Sequence, residues 1–183
     1  MSAANLGQLV LALLAAALVA GAWGWSRLGM RIWAPAALLL LAAAAGIAAV
    51  PAEVTVDGRG GRAALVTLAG VLAVVGGGPV TARVFALVDR GETAAQSMDR
   101  AGQVLRGGAW IGALERGAIF ASLVGGWPEG LAVVLALKGL GRYPELRAAE
   151  DGVRTGAAER FIIGTFTSVL WAAACAGVVV LVG

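Results

Sequence analysis

Seven charged side chains in the second half of the chain stand in or beside apolar stretches. They are Glu115 and Arg116 in "GALERG", Lys138, Arg142 and Glu145 in "ALKGLGRYPEL", and Glu159 and Arg160 in "AERFIIGTFTS". Carboxylates, an ammonium and guanidinium groups at one depth of a bilayer have two main uses. They neutralise one another as ion pairs that lock helices together, or they hold an anionic solute or lipid headgroup. In the second case Thr165, Thr167 and Ser168 are candidate hydroxyl donors to the anion. A buried carboxyl such as Glu115 could also carry a proton through a transport cycle.

Spacing decides who can pair with whom. Adjacent helical residues project about 100° apart, so Glu115 and Arg116 do not face each other. Residues three and four positions from Glu115 are Ile111, Gly112, Ala118 and Ile119; those around Arg116 are Gly112, Ala113, Ile119 and Phe120. Each charge therefore needs another helix, water or headgroups. A charge at the centre of a spanning helix costs about 2.5–3.5 kcal/mol on insertion scales. The pair follows Trp110 by five residues, about 7–8 Å along a helix. Arg116 can reach back to an interface over that distance; the shorter Glu115 cannot.

Partners exist if Leu131 to Gly141 returns to the same side of the membrane. Lys138 then reaches the depth of Glu115, Arg142 lies one turn further on, and Tyr143 with Pro144 ends the helix before Glu145. Arg160, Gly164, Thr167, Ser168 and Trp171 line one face of the last apolar stretch, with Thr165 beside it. Counting Arg116, Lys138, Arg142 and Arg160 against Glu115, Glu145 and Glu159 leaves one excess positive charge. The expected binding layer is thus Glu115, Arg116, Lys138, Arg142, Glu145, Glu159, Arg160, Thr165 and Ser168. The alternative is an ion-pair lock without a ligand.

The elements that must position this layer follow from composition. Of 183 residues, 60% are hydrophobic and only 14% charged, and mean hydropathy is +0.86. That leaves too little polar side chain to coat a globule in water. The expected fold is all-α: a polytopic transmembrane helical bundle forming one integral membrane domain over residues 1–183.

Apolar stretches of spanning length run from Leu6 to Trp25, Ile32 to Val50, Ala63 to Val88, Ala109 to Gly126 and Phe161 to Val182. A short fifth segment, Leu131 to Gly141 (at most about 129–142), precedes the last one. This makes six membrane segments, or five if residues 109–141 form one broken helix. Three N-terminal spans occupy 6–88, a polar loop 89–108, and the spans carrying the charged layer 109–183. No Lys or Arg precedes Arg27, so the apolar Leu9 to Ala20 lacks a signal peptide's basic head and reads as a retained span.

With turns at these places, one side collects Arg27, Arg31, Arg83, Arg90, Arg100, Arg106, Arg142, Arg147, Arg154 and Arg160, and the other only Arg59 and Arg62. The positive-inside rule makes the first side cytoplasmic and both termini extracytoplasmic. Basic residues that are almost all Arg, in an Ala- and Gly-rich chain, suggest a GC-rich bacterial genome and hence the inner membrane.

Other motifs carry less. "VGGGP" at 75–79, which interrupts the third stretch, is echoed by "VGGWP" at 124–128. Gly/Pro breaks in paired segments can expose backbone to a transported substrate, but Gly and Pro are common in membrane helices and turns. Gly108, Gly112, Ala113 and Gly117 form a small-residue stripe, suited to helix packing or a homo-oligomer. The tryptophans fall mostly at span ends, as belt residues do. A lone Cys175 and the absence of His argue against a disulfide, a zinc site and a His-dependent triad. Asp89, Glu92 and Asp99 make no aspartate-rich metal motif. No cofactor and no nucleic-acid partner are expected.

Together, "GALERG", "ALKGLGRYPEL" and "AERFIIGTFTS" resemble the pattern of an uncharacterised bacterial integral-membrane family, roughly G-x-L-E-R, K-S-x-x-R-[FY]-x-E and E-[RY]-x-x-x-G-T-x-x-S. The resemblance covers about residues 108–170. Glu115, Arg116, Lys138, Arg142, Glu145, Glu159, Gly164, Thr165 and Ser168 fit it, while Gly139 stands where the pattern has Ser. It implies a membrane protein and brings no activity with it. Three functions stay open: a transporter or channel-like binder of an anionic solute or lipid headgroup, a structural or accessory membrane subunit, and, least supported, a lipid-modifying enzyme.

Overall fold

The computed structural model describes residues 2–26, 29–50, 54–56, 58–88, 108–148 and 151–182. Among them six helices follow one another: α1 Ala3–Trp23, α2 Gly29–Ala48, α3 Gly58–Val88, α4 Gly108–Val124, α5 Glu129–Ala148 and α6 Asp151–Val182. The expected polar loop between α3 and α4, with Arg90, Arg100 and Arg106, lies outside the described residues at 89–107. So do Arg27 and the side chains of Glu145 and Arg154.

Four stretches are long and apolar enough to cross a bilayer: α1, α2, α3 and Ala158–Val182 within α6. They are compatible with a membrane protein. α4 has 17 residues, about 25 Å of helix. α5 has 20 residues but carries Glu129, Lys138, Arg142, Glu145 and Arg147.

Small residues set the inner packing. On α2 the buried positions Ala34, Ala37, Leu41, Ala44 and Ala48 recur every three or four residues, one helix face. Val10, Leu14 and Ala17 of α1, Leu65, Ala69, Leu72 and Ala73 of α3, and Trp171, Cys175, Ala176, Val178 and Val179 of α6 complete the core. Alanine and glycine let backbones approach closely, which is what drives helix association where lipid removes the hydrophobic incentive. A Cβ on Gly21 would stand 3.1 Å from the Cα of Gly76, marking the α1–α3 crossing. Outward, Leu39, Leu114, Phe166 and Leu170 are exposed, an apolar exterior suited to hydrocarbon.

α3 touches α1, α2, α4 and α6, and α6 also meets α2 and α4. α5 leans on α4 and only thinly on α6, so it is the outermost helix. Gly21 meets Gly76 and Gly24 meets Pro79, so α1 runs with α3, whereas Gly70 meets Phe120, Gly77 meets Arg116 and Gly164 meets Phe85, so α4 and α6 run against it. Arg31, Arg83, Arg142, Arg147 and Arg160 therefore gather at one end of the bundle, and Arg59 and Arg62 stand at the other with Ala3 and Val182.

Three boundaries differ from the hydropathy reading. α3 begins at Gly58 and continues unbroken through "GGGP", with Pro79 inside it. α5 runs past Tyr143 and Pro144 to Ala148; a proline near a helix end removes one hydrogen bond where solvent can replace it. α6 starts at Asp151 rather than near Phe161. Its first ten residues, "DGVRTGAAER", are helical although they are too polar for hydropathy to register.

Candidate functional site

Glu115 and Arg116 leave α4 in different directions, as their 100° separation requires. Each finds its partners on different helices. The expected single layer is therefore split into two flanks.

On the outer flank, the Lys138 ammonium of α5 donates to Glu115 Oε2 in an ion pair. The side chains are only 16% and 12% exposed, so the pair is sheltered and weakly screened. α5 is brought here by the turn after α4. Gly126 adopts φ +73°, a conformation glycine takes without penalty, and Trp127 N–H donates to the Ser122 carbonyl at 2.8 Å. Between the two helices lies a groove of about 390 Å³, lined by Ile111, Leu114, Glu115, Ala118, Val134, Leu137, Lys138, Gly141 and Arg142. Because α4 and α5 run antiparallel, the groove has an order. Ala118 and Val134 line its apolar end, Glu115 and Lys138 its middle, and Arg142 the end nearest the gathered arginines.

On the inner flank, Arg116 is buried at 4% exposure. Its Nε and Nη2 both donate to the Val74 carbonyl of α3, at 3.2 and 2.8 Å. Its Nη1 donates to Ser168 Oγ of α6 at 3.3 Å. One guanidinium thus joins three helices, using the fixed fork of donors that only arginine offers.

That contact belongs to a larger joint. Trp171 Nε1 of α6 donates to the Leu72 carbonyl at 3.2 Å, and Trp25 Nε1, just after α1, donates to the Val75 carbonyl at 3.1 Å. Side-chain donors from three elements therefore converge on one turn of α3. The glycines of "GGGP" make room for them. A Cβ would stand 2.5 Å from Trp171 Cζ2 at Gly76, 2.4 Å from Arg116 Cδ at Gly77, and 2.7 Å from Trp25 Cζ2 at Gly78. Pro79 has no N–H for Val75, and the Trp25 indole serves that oxygen instead. The motif is a docking notch within a continuous helix. Its echo at 124–128 has another role, lying in the end of α4 and the turn before α5.

The remaining expected residues distribute as follows. Glu159 is exposed and Arg160 half-buried, the latter's guanidinium 5.5 Å from the Phe85 ring centre. Thr165 Oγ1 is buried without a hydrogen-bond partner, as is Arg83 Nε. Thr167 Oγ1 returns to the Ile163 carbonyl of its own helix at 2.8 Å. Gly117 of the small-residue stripe faces Val74 of α3. Among the described residues no group of three or more His, Cys, Asp or Glu could hold a metal.

Sequence reasoning missed the notch as a joint. Its signal was present: three glycines and a proline inside an apolar stretch, with tryptophans and one buried arginine elsewhere to fill it. Comparisons with protein-family models, curated proteins and solved structures return no match.

Proposed function

We propose that the protein is a multispanning protein of the bacterial cytoplasmic membrane that binds an anionic lipid in the α4–α5 groove. The carrying observation is the groove's polarity gradient. Arg142 stands at the arginine-rich end, the Lys138–Glu115 pair in the middle, and Ala118 and Val134 at the apolar end, with Leu114 and Leu137 adding apolar wall. A lipid of the leaflet at that end presents the same order, anionic headgroup first and acyl chain inward. A free anion would have no use for the apolar walls. The positive-inside rule makes the arginine-rich end cytoplasmic and puts both termini outside, with α4 and α5 as the fourth and fifth of six membrane segments.

Thermal unfolding of the purified protein in neutral detergent tests the reading. Phosphatidylglycerol should raise the melting temperature of the wild type, and phosphatidylcholine should not. Lys138→Met and Arg142→Gln should fold yet lose the shift. A second reading, the ion lock, is favoured by the pairing of Lys138 with Glu115. It requires both variants to collapse and to be rescued by also removing Glu115.

A further inference from the structure

Resting on that lipid-binding reading, we infer that Glu115 sets which headgroup charge the groove accepts. Lys138 is the cation midway along the groove, and the carboxylate of Glu115 already occupies it. An incoming phosphate must share Lys138 with that carboxylate or draw it away. Both side chains are sheltered, so a second negative charge on the headgroup meets Glu115 with little screening from solvent.

The charges lining the groove are Lys138, Arg142 and Glu115, one more positive than negative. A phosphodiester with a single charge matches that lining, and a phosphomonoester with nearly two does not. Arg142 has further contacts of its own, so the difference made by Glu115, rather than the total, carries the inference. Glu115 is thereby a selectivity residue: it repels the more highly charged headgroup and holds Lys138 in place while the groove is empty.

Removing its charge should reverse the preference. The full-length protein in detergent is titrated with phosphatidylglycerol, phosphatidic acid, phosphatidylcholine or inorganic phosphate. Bound lipid is counted by native mass spectrometry at about pH 8, where a phosphomonoester carries nearly two charges. The wild type should favour phosphatidylglycerol over phosphatidic acid. Glu115→Gln should improve phosphatidic acid relative to phosphatidylglycerol by roughly tenfold, and Glu115→Asp, which keeps the charge, should retain the original order.

Should Glu115→Gln fail to fold, Ile111→Lys carries the same test. Ile111 is an exposed lining residue one turn from Glu115 on the same helix face, so a lysine there offsets the charge of the Glu115 carboxylate while both members of the native pair stay in the chain. An unchanged lipid ratio in the folded charge variant overturns the role of Glu115 while leaving lipid binding intact. A wild type that retains neither anionic lipid overturns the lipid reading itself. Inorganic phosphate that displaces phosphatidylglycerol at equal concentration overturns the lipid as the source of the anion.

Discussion

Trp25 and Val75 are joined by a hydrogen bond of 3.1 Å from indole N–H to backbone oxygen, and the oxygen is the one that Pro79, four residues on, cannot serve. An unserved carbonyl in an apolar surrounding is costly. A tryptophan from another element relieves that cost and ties the end of α1 to α3.

This relationship can be measured as a coupling. Trp25→Phe should lower stability by about 1 kcal/mol, the worth of one such hydrogen bond. Pro79→Ala restores an N–H for Val75, so in that background Trp25→Phe should cost distinctly less. A double-mutant cycle in detergent reads the difference. Equal costs in the two backgrounds would break the link between indole and proline.

The notch should refuse side chains. Gly77→Ala would put a methyl group against Arg116 Cδ and Nε, and overpacking of this kind costs about 1–3 kcal/mol. Gly60, in the same helix, has open space around it, and Gly60→Ala should be neutral or slightly stabilising. Melting temperatures of the two variants, measured side by side, should move apart.

Arg116 is not replaceable by another cation. Lysine keeps the buried charge but lacks the fork that reaches both Val74 and Ser168. Methionine removes the charge and its desolvation penalty altogether. Arg116→Lys should therefore melt below Arg116→Met, with both below the wild type. Unfolding can be followed by alkylation of Cys175, the one cysteine, which is fully buried in the fold and inaccessible until the bundle opens.

Thr165 supplies a test of the opposite sign. Its hydroxyl is buried without a partner, and burying a polar group unsatisfied is unfavourable. Thr165→Val, nearly the same shape, should raise stability by up to about 1 kcal/mol. A clear loss would mean that the hydroxyl makes a stabilising hydrogen bond.

The parts of the fold legible in the sequence are those written in hydrophobicity and periodicity. Apolar length located the four stretches long and apolar enough to cross a bilayer, and the angle between neighbouring helical residues required Glu115 and Arg116 to part. The depth argument brought Lys138 to Glu115. The starts of α3 and α6 were harder to read because their first residues, "GRGGR" and "DGVRTGAAER", are polar and glycine-rich, so neither hydropathy nor helix propensity marks them as helical. The destination of Arg116 was hidden for another reason: its main acceptor is a backbone carbonyl, which every residue has and no motif marks. Only the glycines that clear a path to that carbonyl leave a trace in the sequence.

The order in which the chain is made gives the notch a further meaning. The partner of Val75 lies 50 residues upstream, so Trp25 is already present when α3 leaves the ribosome. The donors to Val74 and Leu72 arrive 42 and 99 residues later. Those two oxygens can wait, because Gly78 and Gly76, four residues on from each, still carry an N–H. The proline-orphaned oxygen is the one whose substitute is synthesised first, so α1 and α3 can form a satisfied pair before α4, α5 and α6 exist.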